Sequence, residues 1–61
     1  MRESYQVNYR KALKWWVIEI PAIGGHTQAR RRNEVEYMAR DYVALWFDVA
    51  EDSFDVVLTE A

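Results

Sequence analysis

The sequence contains no cysteine and a single histidine, His26, among its 61 residues. The absence of cysteine excludes disulfides, iron–sulfur clusters and thiolate zinc sites, and one histidine argues against a histidine-based metal site or a His-dependent triad. The longest uncharged apolar run has six residues, far below the roughly 20 that span a bilayer, and the N-terminus has no signal-peptide core. We therefore expect one cytoplasmic domain over residues 1–61, with no cofactor and no metal.

A chain of this length can form only a small core. A domain of about 60 residues buries roughly 60% of the surface that its unfolded chain exposes, and such domains usually need disulfides, a metal or a partner subunit. Hydrophobic residues make up 51% of this sequence and aromatic residues 15%. This composition favours self-association, with a homodimer as the expected state.

Charge is unevenly distributed along the chain, although the net charge is only −2. Residues 1–32 carry seven basic and two acidic side chains, whereas residues 33–61 carry one basic and eight acidic side chains. This division predicts either two oppositely charged surfaces or a charged surface for a partner. Mutual neutralisation of the two halves across the folded surface is an equally good interpretation.

Hydrophobic patterns predict four strands and one helix. Alternating residues and a β-branched, aromatic run ended by Pro21 indicate strands, with a turn at Gly24 and Gly25. Asn33 as N-cap and Glu36 three residues later indicate a helix start. The strands cover residues 4–10, 15–20, 26–30 and 54–58, and the helix covers residues 33–49. This β-β-β-α-β order predicts an α+β two-layer fold: a small, mainly antiparallel sheet with one helix packed on one face.

The predicted core lies between the helix and one face of the sheet. Apolar residues at helical spacing form a stripe on the helix, comprising Val35, Met38, Ala39, Tyr42, Leu45, Trp46 and Val49. The strand residues expected to meet this stripe are Val7, Trp16, Ile18 and Val57.

Two further apolar sets exceed what one small core can cover. Trp15 and Val17 lie on the opposite sheet face, and Val43, Trp46 and Phe47 surround the helix end. Contiguous exposed apolar surface usually marks an interface, so we expect these five residues to form the contact of a homo-oligomer. The alternative is that the acidic C-terminal segment folds over the helix end within one chain.

No residue pattern predicts an enzyme. Gly24 and Gly25 lack the spacing of a phosphate-binding loop. His26 has no carboxylate at a spacing that would orient it as a general base. The acidic residues 48–55 lack the residue order of a calcium loop. We therefore expect no catalytic residues.

A basic patch is the remaining charged feature, and it consists of Arg10, Lys11, Lys14, Arg30, Arg31 and Arg32. With Tyr5, Tyr9 and Trp15 nearby, it could combine phosphate contacts with base stacking. However, the sequence pI is near 5.2, whereas nucleic-acid modules are typically strongly basic. Binding of a protein partner is the preferred interpretation, and a nucleic-acid-binding accessory protein is the alternative.

Three strings, in this order and spacing, resemble the N-terminal domain of HicB-family antitoxins. They are an apolar strand ending in proline, a glycine turn into His-Thr-Gln-Ala-Arg, and a helix containing Met-Ala-Arg-Asp that is followed by Ser-Phe-Asp. The three strings occupy residues 15–21, 24–31 and 34–41, Ser-Phe-Asp follows at residues 53–55, and the resemblance covers residues 4–58.

The resemblance implies a partially degraded ribonuclease-H-like β-β-β-α-β fold. It also implies that the chain neutralises a small ribonuclease toxin, the HicA partner, in a bacterial or phage type II toxin–antitoxin system. Ribonuclease H enzymes hold magnesium with a carboxylate cluster that includes the first strand, and the first predicted strand has no carboxylate. HicB antitoxins usually continue into a DNA-binding domain, and since this sequence stops at Ala61 we expect none here.

Overall fold

The computed structural model describes residues 2–61. The strands are β1 (Ser4–Ala12), β2 (Trp15–Ile20), β3 (Gly25–Ala29) and β4 (Asp55–Glu60), and they form one sheet in the order β3-β2-β1-β4. β1 pairs antiparallel with β2, β2 pairs antiparallel with β3, and β4 lies parallel to β1. One helix, α1 (Val35–Phe47), packs against one face of the sheet. The predicted α+β class is confirmed.

The first three strands form a meander with short connections. Ala12 pairs with Trp15, so only Leu13 and Lys14 connect β1 to β2. Pro21, which cannot donate to a ladder, begins a 3-10 turn after β2, and Gly24 follows in the left-handed region at φ 60°. The predicted strand positions agree with the structure to within two residues at each end.

The helix begins later and ends earlier than predicted. Residues Arg32–Glu34 form a 3-10 turn, so Asn33 lies inside a turn and is not the helix N-cap. The backbone N–H of Arg31 instead donates to the Glu34 carboxylate at 3.2 Å. At the other end, Asp48 adopts a left-handed conformation at φ 56°, and its N–H donates to the Ala44 carbonyl. This left-handed residue terminates the helix at Phe47 and leaves Val49 outside it.

The core contains mostly aliphatic residues from the sheet, valine and alanine residues from the helix, and two aromatic residues, Tyr9 and Phe54. The line Val35, Ala39 and Val43, at i, i+4 and i+8, faces the sheet and is at most 1% exposed. Other buried members are Val7, Tyr9, Ile18, Ile20, Ala29 and Ala44, and the partly buried neighbours include Trp16, Met38 and Tyr42.

Several of the predicted positions are wrong, and of the apolar helix stripe Trp46 and Val49 are exposed by 57% and 46%. Val43, assigned to the oligomer interface, is fully buried, whereas Leu45, assigned to the core, is 76% exposed. The small side chains of Ala39 and Ala44 let the helix approach the sheet on their side. Val43 is therefore buried, whereas Leu45 is exposed. Val57 is 50% exposed because the parallel register places it beside Gln6 on the face away from the helix.

Candidate functional site

The fold gathers most of the cations of residues 1–32 at one end of the molecule, where Glu34 and Glu60 also lie. β1 ends, β2 begins and β3 ends at the same end of the sheet. This arrangement collects the six residues of the predicted basic patch at what we call the basic end: Arg10, Lys11, Lys14, Arg30, Arg31 and Arg32. The helix starts there and runs to the opposite end, where Phe47 stacks on Tyr5 at 5.5 Å. The longest dimension of the molecule is 36 Å.

Cations at the basic end lie over aromatic rings. Arg30 lies 5.7 Å from the Trp15 ring centre, and Lys11 lies 5.5 Å from the Trp16 ring centre. Such contacts contribute about 0.5–1 kcal/mol at exposed sites. A cation from the same chain therefore already occupies one face of each ring, which reduces the surface on which a nucleic-acid base can stack.

Arg32 is held more firmly than the other cations. Its guanidinium lies 5.7 Å from the Tyr9 ring centre and donates to the Tyr9 hydroxyl at 3.0 Å and to Glu60 at 3.3 Å. These two partners, Tyr9 first, raise the pKa of Arg32 above its usual value. Across residues 2–61 the other five cations of the basic end form no ion pair.

The opposite end of the helix carries an exposed apolar surface. We call it the helix-end surface, and its residues are Leu45, Trp46, Phe47 and Val49. Leu45 is 76% exposed and Trp46 is 57% exposed. The Trp46 ring stacks on Tyr42 at 6.3 Å, which fixes its orientation. A shallow pocket of about 270 Å³ lies beside these residues and is lined by Thr27, Met38, Asp41, Tyr42, Leu45 and Trp46.

The structure divides the five predicted interface residues among three places. Trp46 and Phe47 lie in the helix-end surface, whereas Val43 is in the core. Trp15 and Val17 lie on the open face of the sheet, the face without the helix. Val17 sits there between Arg10 and Gln28. The open face around it is therefore polar, and it is not continuous with the helix-end surface.

The C-terminal segment covers only part of the helix end. It returns to the sheet by inserting Phe54, which contacts Tyr5 edge-on at 5.7 Å. On this side Phe47 stacks on Tyr5 of β1 and is still 44% exposed, and Leu45 and Trp46 are more exposed than Phe47. The alternative prediction, that the acidic C-terminal segment covers the helix end, is therefore wrong for Leu45, Trp46 and Phe47.

Two arrangements were not predicted from the sequence. His26 lies directly opposite Glu19 on the open face, a neighbour that only the β2–β3 register reveals. β4 forms one edge of the sheet and exposes Val57 and Leu58 by 50% and 38%. A signal for the exposed edge was present, because the strand contains no lysine or proline of the kind that protects edges.

Within residues 2–61 no group of three or more histidine, cysteine or acidic side chains could hold a metal ion. Over the same residues, no helix has the length and apolar character needed to cross a membrane.

Comparison with known proteins adds no relative, since no family model, curated protein or solved structure matches the chain. Any assignment of function therefore depends on the surfaces described above and on the residues that carry the resemblance.

Proposed function

We propose that this protein is a non-catalytic protein-binding module, similar to HicB antitoxins, that neutralises a small ribonuclease toxin or binds another host protein in the cytoplasm. The observation that carries the proposal is the helix-end surface. A tryptophan and a leucine lie exposed beside one pocket near the end of one short helix, and a phenylalanine is partly exposed on the other side of that helix end. Large exposed aromatic residues are the commonest anchors of protein–protein interfaces.

The charge around the helix-end surface fits a basic partner. Asp41 lines the pocket beside Trp46, and Asp48 terminates the helix next to Phe47. An apolar centre with an acidic rim is complementary to a protein whose own surface is basic. A ribonuclease must attract the RNA backbone with basic residues, so a ribonuclease toxin has the expected chemistry.

The fold supports the same proposal. The resemblance to HicB antitoxins implies a β-β-β-α-β order, and this is the order of elements in the chain. In ribonuclease H enzymes the first strand carries a carboxylate that binds magnesium. In this chain the first strand, β1, contains no acidic residue. We therefore propose that the module acts by covering its partner and not by cleaving RNA.

A purified complex tests this function. The chain is mixed with the HicA-type toxin from the same genome, and both binding and RNA cleavage are measured. We expect stoichiometric chain to abolish cleavage. Trp46→Ser should weaken binding about 10–30-fold, the loss typical of a central interface aromatic.

Tyr37→Ser is the matched control. Tyr37 is 62% exposed on the same helix but lies nine residues from Trp46, which places it on the opposite side of the helix. Unchanged cleavage in the presence of excess chain would contradict the proposal. Equal losses of affinity for Trp46→Ser and Tyr37→Ser would contradict the assignment of the helix-end surface.

A second candidate function is nucleic-acid binding at the basic end. The observation that favours it is the collection of six basic side chains at one end of the sheet, five of them without an ion pair within residues 2–61. The cations already stacked on Trp15 and Trp16 and the net charge of −2 oppose it. We therefore place it second.

A further inference from the structure

β4 has one side without a hydrogen-bonding partner. It is the last strand in the order β3-β2-β1-β4 and pairs only with β1. Its centre consists of Val56, Val57 and Leu58, with the last two substantially exposed. Edge strands of monomeric proteins usually carry lysine, proline or a bulge that prevents pairing with another chain, and this segment has no lysine or proline.

The backbone hydrogen bonds define which groups of β4 face outward. The N–H of Asp55 donates to the Glu3 carbonyl, and the N–H of Ala61 donates to the Tyr9 carbonyl, both at 2.8 Å. Since the direction of backbone groups alternates along a strand, the odd-numbered residues face β1. Val56, Leu58 and Glu60 therefore point their N–H and C=O groups away from the sheet.

We propose that a second copy of this chain pairs with β4 in antiparallel orientation, about a two-fold axis through Leu58. In an antiparallel ladder, two directly opposite residues either both point their N–H and C=O groups toward the partner strand or both point them away from it. A residue of β4 whose backbone groups point away from the sheet must therefore lie opposite another such residue of the second copy. With Leu58 opposite Leu58 of the second copy, Val56 lies opposite Glu60 and all outward groups of both strands are paired. The result is one continuous eight-stranded sheet with both helices on the same face.

The neighbouring register, centred on Val57, satisfies fewer groups. It would place Glu60 opposite Phe54 of the second copy, and the Phe54 carbonyl already accepts from Arg2 at 2.7 Å and from Arg40 at 2.9 Å. In addition, Phe54 lies before the strand begins. The register centred on Leu58 is the one that uses the full length of β4.

The charges of β4 permit this contact. Asp55 is paired with Arg2 at 3.2 Å, and Glu60 is paired with Arg32 at 3.3 Å. In the proposed register neither acid lies opposite an acid. Across the axis, leucine faces leucine on the helix side of the sheet, and Val57 faces threonine on the open side. The strand is therefore complementary to itself, which a two-fold contact requires.

The other sheet edge does not offer the same surface. β3 has five residues and contains one glycine and one alanine, which are buried, and its exposed residues are His26 and Gln28. It has no exposed aliphatic residue to cover. The contrast between the two edges is our reason for assigning self-association to β4, and the helix-end surface then remains free for a different protein.

Amide hydrogen exchange by NMR tests the proposal residue by residue. In the dimer we expect the outward amides of Val56, Leu58 and Glu60 to be protected at high protein concentration and to exchange faster on dilution. The inward amides of Val57 and Thr59 should be protected in both conditions. Rapid exchange of the outward amides at millimolar concentration, with the inward amides protected, would overturn the proposal.

Sedimentation equilibrium with two substitutions provides the second test. The parent should run at twice its 7.3 kDa chain mass, and Val57→Lys should run as a folded monomer because it places a charge on the edge. Val49→Lys introduces the same charge outside β4 and should remain dimeric. A monomeric parent, or a dimer lost with Val49→Lys and kept with Val57→Lys, would contradict pairing through β4.

If Val57→Lys does not fold, a synthetic chain with N-methyl-Leu58 removes the outward N–H alone, and a dimeric N-methyl chain would also contradict pairing through β4.

Discussion

At the scale of single residues, the two adjacent glycines serve different purposes. Gly24 has φ 60°, and a Cβ added there would contact nothing within 4 Å. Gly25 has ordinary backbone geometry, but a Cβ added there would lie 2.5 Å from the Tyr42 ring. The sequence suggested a turn for both, whereas the structure requires the first for backbone conformation and the second for the close approach of the helix to β3.

Gly25→Ala should therefore destabilise the fold by about 1–3 kcal/mol, the usual cost of overpacking a core. Gly24→Asn is the matched control, since asparagine tolerates the left-handed region and should cost under about 1 kcal/mol. Urea denaturation of both variants measures the difference. Equal losses for the two variants would show that Tyr42 does not pack on Gly25 as described.

At the scale of elements, two arginines hold the start of β4: Arg2, which contacts Phe54 and Asp55, and Arg40 from the helix. Arg40 is the single basic residue of residues 33–61, and its Nη1 donates to the carbonyls of Glu51 and Phe54, each at 2.9 Å. Its Nε also pairs with Glu36 at 3.0 Å. The guanidinium thus satisfies backbone groups in the connection that brings the chain back to the sheet.

Arg40→Met keeps the aliphatic stem and removes these contacts, so we expect it to lower the free energy of unfolding by about 1–2 kcal/mol, near the lower end of the values for hydrogen bonds to charged groups. Glu36→Gln removes only the exposed ion pair and should cost less than about 1 kcal/mol. Thermal and urea unfolding would measure both variants. A loss for Glu36→Gln as large as that for Arg40→Met would mean that the ion pair, and not the carbonyl contacts, stabilises the connection.

The strands were predictable because their patterns are unambiguous, but the helix orientation was not. The helix has two apolar stripes at helical spacing, and periodicity alone does not show which of them faces the sheet. One stripe is Val35, Ala39 and Val43, and the other is Met38, Tyr42 and Leu45. The choice depends on how closely the helix approaches the sheet, which Ala39 permits and Leu45 would prevent. Likewise, Val57 was assigned to the core because the register of β4 against β1 is a long-range property.

At the scale of the whole molecule, the sequence division into basic and acidic halves becomes only partly a division in space, because Glu34 and Glu60 lie at the basic end and Arg2 lies at the opposite end. The basic end gathers six cations, whereas Asp41 and Asp48 border the helix-end surface at the other end. The fold thus combines the two predictions, because cations cluster at one end while Arg2 pairs with Asp55 and Arg32 pairs with Glu60. Within residues 2–61, Arg32 is the one cation of the basic end that forms an ion pair with an acid from the second half of the chain.

The cluster of cations at the basic end predicts how the chain interacts with RNA. Up to five cations of the basic end are free to contact phosphates, and for a single strand the slope of log K against log salt is about −0.7 per contact. A 20-nucleotide RNA should therefore bind weakly at low salt and lose about 100-fold in affinity between 50 and 200 mM salt. Fluorescence anisotropy over a salt series measures this slope.

Arg31→Ala should flatten the slope by about 0.7, one phosphate contact. Arg2→Ala, at the opposite end and already paired with Asp55, should leave it unchanged. Tight RNA binding that persists at 200 mM salt would favour nucleic-acid binding over the antitoxin-like function. Equal effects of Arg2→Ala and Arg31→Ala would mean that the RNA does not distinguish the two ends, and the basic end would then not be its binding site.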